Sequence, residues 1–375
     1  MRLRTAAAAA ATTVLGAGVA AVAAGRYVSD AALKPSRIRP LPSDPKLTVH
    51  ATAAGQVTLT RSLASLRPGT YGLTGGDTHA IVGPVIENAP HPADSVVRRL
   101  ELVTHGTLEP GARLWLTPQV YIGNPRDALG LDHADVDIPG ELGALPAWFV
   151  PGARETWVIT VHGLGTGREH PMVVMPFLAE QRFPVLDLAY RGDLGAPRLP
   201  DGIGHLGNTE WHDLDAAIRY AVRYGAETVV LYGWSTGATM ALHAAERSAL
   251  RPRISGIVLD SPVLDWRATV RALAVADGTP RALLPLAVRA AQGRTGLDAG
   301  NFAEVPDPDR LAVPALVLHG PDDSIAPWAA SRALADRRPD LVTLHTVERA
   351  PHAAMWNADP EGYEEALRRF LTPLM

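Results

Sequence analysis

The chain has 375 residues, of which 47% are hydrophobic and 20% charged, so it holds enough apolar material for a large folded core. A formal net charge of −4 and an isoelectric point near 6.4 argue against nucleic acid as a partner. The absence of cysteine excludes disulfides, a thiol nucleophile and thiolate metal sites.

The amino-terminal segment is apolar enough to act as an anchor or an export signal. Residues 5–25 follow Arg2 and Arg4 and carry no charge, and roughly 20 such residues span a bilayer. Residues 21–23 form an A-x-A cleavage candidate. We expect a single-pass anchor that holds the rest of the chain outside the cytoplasm, with cleavage and secretion as the alternative. Residues 26–46 are rich in proline and predict a stiff linker.

Residues 47–133 predict a small β-rich accessory module. Three short strands, at 56–60, 78–82 and 95–103, are separated by Pro-Gly and Gly-Gly turns. No catalytic pattern occurs in this region. Four residues near its end, Asp132, His133, Asp135 and Asp137, include enough ligand types for a metal ion. A polar turn that enters a strand is the preferred interpretation of that cluster, and no metal or other cofactor is predicted.

From residue 134 onward the sequence alternates between strands and helices, as a mostly parallel sheet with helices on both faces requires. The predicted opening strands are 136–138, 144–150, 158–161 and 183–188. A helix at 210–224 has one apolar face and acidic residues in its first turn, and it stops at Gly225. The predicted fold class is therefore α/β.

Residues 228–242 predict a buried strand, a sharp turn and a helix, with Ser235 at the turn. A G-x-S-x-G pentapeptide in that setting is a nucleophile elbow. The serine is held at strained backbone angles, and glycine at 233 and 237 avoids collisions with the neighbouring strand and helix. The amide of Thr236 opens the helix with an unpaired N–H, which can bind an oxyanion.

A serine nucleophile needs a base and an orienting acid, and both follow in the order Ser, Asp, His. An apolar run at 311–320 is followed by Asp322 and Asp323, and a strand at 341–347 is followed by His352. Each candidate lies past the carboxyl end of a strand, where parallel sheets bind ligands. Asp260 follows another strand and is an alternative acid.

These motifs together resemble the α/β-hydrolase superfamily over residues 134–375. The nearest branch holds monoglyceride-lipase-like esterases and prolyl-aminopeptidase-like serine peptidases. In that family the acid turn reads H-G-x-x-D, which matches His319, Gly320 and Asp323 and favours Asp323 over Asp322. The histidine loop matches at His352, although the family's usual glycine is missing.

The resemblance also implies the oxyanion hole. Residues 162–165 read H-G-x-G, as in the family's oxyanion loop, so the amides of Leu164 and Thr236 are expected to bind the oxyanion. His162 is expected to brace that loop by hydrogen bonding. Arg191 begins an R-G pair that the family places beside the active site, with a solvated turn as the alternative.

The resemblance further implies a cap from an insertion at about 263–305, whose apolar residues either line an acyl pocket or pack the cap onto the sheet. The glycine-rich loop lacks a nucleotide-binding motif.

The sequence therefore predicts a serine hydrolase that cleaves a small or lipid-like carboxylic ester through an acyl-enzyme. One alternative is an exopeptidase of the prolyl-aminopeptidase type, which would need an acidic cluster to hold a substrate amine. Another is a non-catalytic binding protein with a hydrolase fold. The expected partners are a small ester or short peptide substrate and, through the amino-terminal segment, a membrane. No oligomeric state is predicted.

Overall fold

A computed structural model describes residues 22–30, 32–34, 44–296 and 308–375 of the chain. The first described residues, 22–30, are helical and are named α1. A barrel and a larger mixed sheet follow in chain order.

The first sheet is a closed barrel of six strands in the order β1-β2-β5-β4-β3-β6. The strands are β1 (Leu47–Ala53), β2 (Gln56–Thr60), β3 (Tyr71–Gly75), β4 (Thr78–Val85), β5 (Ser95–His105) and β6 (Arg113–Thr117). Every pairing is antiparallel, and alternate side chains point inward to form an apolar core that includes Val57, Leu59 and Leu73. The predicted β-rich module is confirmed. A short helix, α2 (Pro125–Leu129), follows the barrel.

The second sheet has eight strands in the order β14-β13-β12-β11-β9-β10-β8-β7. The strands are β7 (Ala134–Gly140), β8 (Gly143–Val150), β9 (Thr156–Val161), β10 (Val185–Leu188), β11 (Thr228–Trp234), β12 (Ile254–Asp260), β13 (Ala315–His319) and β14 (Val342–Thr346). The β7–β8 and β8–β10 pairs are antiparallel, and the other pairs are parallel. The carboxyl ends of β11, β13 and β14 therefore share one edge.

The helices after α2 are α3 (Met175–Glu180), α4 (Trp211–Arg223), α5 (Thr236–Arg247), α6 (Trp266–Ala276), α7 (Leu284–Thr295), α8 (Trp328–Arg337), α9 (Met355–Ala358) and α10 (Pro360–Leu371). Short 3-10 turns occupy Pro171–Val174, Arg251–Arg253, Arg281–Leu283, Pro308–Arg310 and Thr372–Leu374. The predicted helix at 210–224 corresponds to α4.

Helices cover both faces of the large sheet. On β11, Leu231 packs in the cluster that contains Leu214 of α4, whereas its neighbour Tyr232 packs with Phe177 of α3 and Leu367 of α10. Successive side chains of a strand point to opposite faces, so an apolar run such as β11 predicts burial on both sides. The predicted fold class is confirmed.

Helices α6 and α7 form the described part of the predicted cap insertion, and residues 297–305 of that prediction lie outside the described residues. Asp265 caps α6 by accepting a hydrogen bond from the amide of Ala268 at 3.0 Å. The residues that follow α1 pack against the cap. Ala32 and Leu33 are fully buried in one cluster with Trp266 and Val270 of α6.

The expectation of a membrane anchor is corrected here. Across the described residues, no helix has the length and apolar character needed to cross a bilayer. Residues 1–21, which hold most of the predicted span and the start of its cleavage candidate, lie outside the described part. The apolar side chains that follow have a different role, because Val28 packs with Ala274 and Ala287 of the cap. The carbonyl of Leu33 accepts a hydrogen bond from the Gly204 amide at 2.6 Å.

Candidate active site

Ser235 lies on a strained turn between β11 and α5. Its φ is 53° and its ψ is −115°, a backbone conformation that residues other than glycine rarely adopt. A Cβ at Gly233 would lie 2.3 Å from the backbone of Gly237, and one at Gly237 would lie 2.3 Å from the carbonyl oxygen of Val161. Both glycines are therefore required by close backbone packing, as the elbow motif predicts.

The structure brings the three predicted side chains together. The Nε2 atom of His352 lies 2.7 Å from Ser235 Oγ, and its Nδ1 atom lies 2.7 Å from Asp323 Oδ2. All three residues are buried. In the neutral imidazole, Nδ1–H donates to the carboxylate, and Nε2 is left to accept the serine proton.

Asp323 is a buried carboxylate with several donors around it. Its Oδ1 atom accepts hydrogen bonds from the amides of Ile325 and Ala326 at 2.8 and 2.9 Å. Burial alone would raise the pKa of Asp323, but the charge of His352 and hydrogen bonds from His319 and His352 hold that pKa well below its usual range. The group is therefore an anion at neutral pH.

His319 is a partner of Asp323 that the sequence motif did not identify as such. Its Nε2 atom lies 3.0 Å from Asp323 Oδ2, and its Nδ1 atom lies 2.7 Å from Ser331 Oγ. Asp323 Oδ2 is thus within hydrogen-bonding distance of two histidine rings, those of His319 and His352. The signal in the sequence is the position of His319 at the end of β13, four residues before the acid.

The two alternative acids have other partners. Asp322 Oδ2 accepts the backbone amide of Arg349 at 2.8 Å. Asp260 is fully buried, where it accepts hydroxyl hydrogen bonds from Ser261 and Tyr363 at 2.8 and 2.9 Å. Burial raises the pKa of Asp260 to about 7, even though these two hydrogen bonds lower it.

The predicted oxyanion amides lie on either side of Ser235. Leu164 follows Gly163, where a Cβ would lie 2.7 Å from the Ser235 Cβ, so the loop packs directly against the serine. Thr236 is the first residue of α5. Within the described ranges neither amide donates a hydrogen bond to the protein, which is the condition that an oxyanion site needs.

His162 braces the loop that carries Leu164. Its Nδ1 atom lies 2.8 Å from the Gly163 carbonyl oxygen, its Nε2 atom lies 2.7 Å from Asp193 Oδ2, and its ring stacks on Tyr190. Burial would lower the pKa of His162, but the charge of Asp193 raises it. The imidazole is fully engaged in these contacts.

Arg191 is buried rather than solvated. Its guanidinium donates to both carboxylate oxygens of Asp213 at 2.6 and 2.9 Å, and its backbone amide donates to the same carboxylate at 2.8 Å. This bidentate pair joins the R-G turn to α4.

A pocket borders both predicted oxyanion residues. Apolar side chains contribute to its lining, among them Leu164, Leu199, Leu206 and Met240. Leu164 and Leu206 also touch the cluster formed by the cap and Leu33.

No set of three or more acidic or histidine side chains in the described part of the chain is arranged to hold a metal ion. In the predicted polar cluster, Asp132 pairs with Arg126 at 2.9 Å, and the His133 ring meets Trp148 edge to face.

Two family matches agree with the two parts of the fold. Residues 156–286 match a family described as alpha/beta hydrolase fold, and residues 48–117 match a domain of unknown function, DUF8805. No curated protein matches the chain significantly.

Among solved structures the chain is similar to an esterase from Pyrococcus furiosus. The identity is 22% and the TM-score 0.54, over 67% of this chain and 95% of the esterase. A second crystal form of that esterase matches at 20% identity and a TM-score of 0.53, over 67% of this chain and 94% of the esterase.

These findings confirm the predicted α/β-hydrolase superfamily, and the chain has the fold of that superfamily. They support an enzyme of the hydrolase class. The choice between the two branches stays a prediction.

Proposed function

We propose that the chain is a serine hydrolase that cleaves carboxylic esters through an acyl-enzyme. The observation that carries this proposal is the continuous relay from Ser235 through His352 to Asp323, with both links at 2.7 Å. A nucleophile, a base and an orienting acid at hydrogen-bonding distance are the arrangement that activates a serine hydroxyl.

In the first half-reaction, Ser235 Oγ attacks the ester carbonyl carbon while His352 Nε2 takes the hydroxyl proton. Asp323 stabilises the resulting imidazolium, and the amides of Leu164 and Thr236 donate to the oxyanion. Collapse of the tetrahedral intermediate breaks the bond to the alcohol, which leaves with the proton from His352. In the second half-reaction, His352 deprotonates a water molecule, which attacks the acyl-enzyme to give a second tetrahedral intermediate. Its collapse breaks the bond between the acyl carbon and Ser235 Oγ, which regains its proton from His352, and the carboxylic acid is released.

The pocket favours an ester with an apolar acyl group over a peptide with a free amine. Leucine and methionine side chains line it beside the proposed oxyanion amides. Its acidic residues already have partners. Glu210 accepts the amides of His205 and Gly207 at 2.6 and 3.0 Å, and Asp193 is paired with His162. An exopeptidase would need a carboxylate available for the substrate amine.

A fluorophosphonate probe tests the nucleophile. We expect covalent labelling of the full chain at Ser235, and we expect Ser235→Ala to abolish labelling and to lower turnover by about 10⁴-fold or more. Ser255→Ala is the matched control, because this hydroxyl donates to the Val229 carbonyl oxygen near the amino ends of β11 and β12, and it should be labelled like the wild type. Labelling that persists in Ser235→Ala would refute the assignment.

The substrate class is tested with chromogenic esters of increasing chain length beside amino-acid arylamides. We expect ester hydrolysis with at least about 100-fold preference in kcat/KM over the arylamides, since the pocket carboxylates of Glu210 and Asp193 already accept hydrogen bonds from the protein. Faster cleavage of the arylamides would favour the exopeptidase alternative.

A further inference from the structure

The barrel contacts the hydrolase part of the chain beside His352. Helix α9 begins three residues after this histidine, and its Asn357 is buried. The Asn357 side-chain amide donates to the carbonyl oxygens of Thr70 and Pro118, both at 2.9 Å. In return, the Thr70 amide donates to the Asn357 carbonyl at 2.8 Å. Thr70 precedes β3 and Pro118 follows β6, so one asparagine joins the ends of two adjacent barrel strands to α9.

Packing reinforces this contact. Ala354, two residues after His352, is fully buried and belongs to the apolar cluster of the barrel interior. Gly69 has a φ of +79°, and a Cβ there would lie 1.9 Å from the Asn357 carbonyl oxygen. The barrel and the histidine loop therefore meet at backbone contact distance, which only glycine allows at this position.

The barrel also holds its own side of this contact rigidly. Arg98 of β5 is fully buried, and its guanidinium donates to the carbonyl oxygens of Ser65, Arg67 and Gly69 at 3.1, 2.7 and 2.7 Å. A buried arginine that joins three carbonyls of one turn fixes that turn, because each lost hydrogen bond would leave a buried polar group without its partner. The turn leads directly to Thr70.

On the hydrolase side, the loop has two further supports at Ala353. The Ala353 amide donates to Ser261 Oγ at 3.0 Å, and the Ala353 carbonyl oxygen lies 2.9 Å from His170 Nε2. Ala353 itself has a φ of +54°. A residue in this strained conformation persists only where surrounding contacts over-determine it.

We propose that the barrel is a positioning module for His352, and that Asn357 is the positioning residue through which it acts. This inference rests on the proposed function, because it gives the barrel a part in the reaction of Ser235. We call the hydrogen bonds of Asn357 with Thr70 and Pro118 the clamp. Removing the clamp would let the segment from Ala353 to Asn357 relax, and the imidazole would lose its alignment with the serine hydroxyl. A displacement of about 1 Å in a catalytic group lowers turnover by about 100-fold.

The test is Asn357→Ala in the full chain, assayed below its thermal transition. We expect kcat to fall by about 10- to 100-fold with KM within about threefold of the wild type, since substrate contacts are unchanged. The rate of fluorophosphonate labelling should fall in parallel. Amide hydrogen exchange at residues 350–358 should rise, while exchange in β11 stays unchanged.

Val57→Ala is the matched control. Val57 is fully buried in β2, which lies opposite β3 in the barrel order, so this variant loosens the barrel away from the contact. It should lower thermal stability and leave kcat unchanged. If Asn357→Ala is destabilised like Val57→Ala and keeps the wild-type kcat, the clamp is structural only and the inference is wrong.

Two outcomes have separate meanings. If Asn357→Ala does not fold, Asn357→Ser is used, because serine keeps one short hydroxyl donor. A wild-type kcat together with wild-type amide hydrogen exchange in Asn357→Ser would also overturn the inference. If the wild type itself neither hydrolyses esters nor is labelled, the proposed function fails. Amide hydrogen exchange by itself then tests whether the barrel holds the histidine loop in place, since that measurement needs no enzymatic activity.

Discussion

Ser235 and His352 are in direct contact, yet the chain holds their backbones in different ways. The serine turn is fixed by its immediate neighbours. It follows β11, a strand buried in the centre of the sheet, and the two glycines around it let the elbow pack against β9. The remaining contacts come from adjacent strands of the same sheet, since the Ser235 amide donates to the Asp260 carbonyl oxygen at 2.8 Å and Gly237 packs on the Val161 carbonyl oxygen.

The histidine loop is fixed from a distance. Its supports at Ser261, His170, Pro118 and Thr70 lie 92, 183, 239 and 287 residues away in the chain from the residues that they contact. Two of these partners belong to the strand ends of the barrel. The comparison indicates that the serine side is held by its own turn and the adjacent strands of the large sheet, and the histidine side by contacts with remote loops and with the barrel.

The largest expected effect comes from replacing Asp323, the acid that contacts His352. Asp323→Asn should lower kcat by about 10³- to 10⁴-fold, because the amide stabilises the wrong imidazole tautomer. Asp322→Asn is the control, since Asp322 accepts the Arg349 amide, and it should lower kcat by about tenfold or less. Steady-state kinetics of both variants decide the assignment. The reverse order of effects would move the acid to Asp322.

The same comparison explains which features the sequence predicted. The elbow, the acid turn and the histidine position each depend on a short segment that follows a strand, so local patterns predict Ser235, Asp323 and His352, which the structure brings within hydrogen-bonding distance. Asn357 and Ser261 act on the histidine loop through remote partners, and no local pattern marks such pairs. They become visible only in three dimensions.

The amino-terminal part shows the same limit. Strand β3 carries two glycines among its five residues, which weakens the strand signal, and it was not predicted. Composition predicts a membrane anchor at residues 5–25, and among the described residues no helix could cross a bilayer. The described apolar residues that follow this segment, Val28, Ala32 and Leu33, pack on the cap.

Asp260 gives a second, pH-dependent test, because its carboxylate accepts the Ser261 hydroxyl that supports the histidine loop at Ala353. Because burial raises its pKa to about 7, the folded chain keeps this proton between about pH 4 and pH 7, whereas the unfolded chain has lost it. The stability that the proton contributes therefore falls as pH rises through this window, by up to roughly 4 kcal/mol. Asp260→Asn removes the dependence.

The measurement is urea unfolding of Asp260→Asn and the wild type at about pH 4.5 and about pH 8. The variant should gain stability relative to the wild type at the higher pH. Asp336→Asn, at an exposed position, is the control and should differ from the wild type by the same amount at both values. An equal difference for Asp260→Asn at both pH values would contradict the raised pKa.

The serine side is broken locally by Gly237→Ala. The new Cβ would lie 2.3 Å from the Val161 carbonyl oxygen and 2.6 Å from that of His162, so the elbow and the oxyanion loop would have to separate. We expect the free energy of unfolding to fall by about 3 kcal/mol, and the labelling of Ser235 to slow markedly. Gly293→Ala in α7 is the control, because its added Cβ would meet no described atom within 4 Å apart from its chain neighbours and the adjacent backbone of its own helix. Wild-type labelling of Gly237→Ala would show that the elbow tolerates a side chain.

The smallest effect concerns Leu33, which packs near the oxyanion loop from far away in the chain. Leu33 is fully buried against the cap, in a cluster that Leu164 also touches, and its carbonyl oxygen accepts the Gly204 amide. Leu33→Ala should therefore lower the free energy of unfolding by about 2 kcal/mol, since truncating a buried leucine removes apolar burial and leaves a cavity.

Tyr27→Ala is the control in the same segment, because Tyr27 is 81% exposed, and it should change stability by less than about 0.5 kcal/mol. Because the two glycines and the adjacent strands β9 and β12 fix the elbow, kcat of Leu33→Ala should stay within about threefold of the wild type, in contrast to the loss expected on the histidine side. Equal stabilities of Leu33→Ala and Tyr27→Ala in denaturant would show that the segment does not pack on the cap, and a large fall in kcat would show that the serine side too depends on distant contacts.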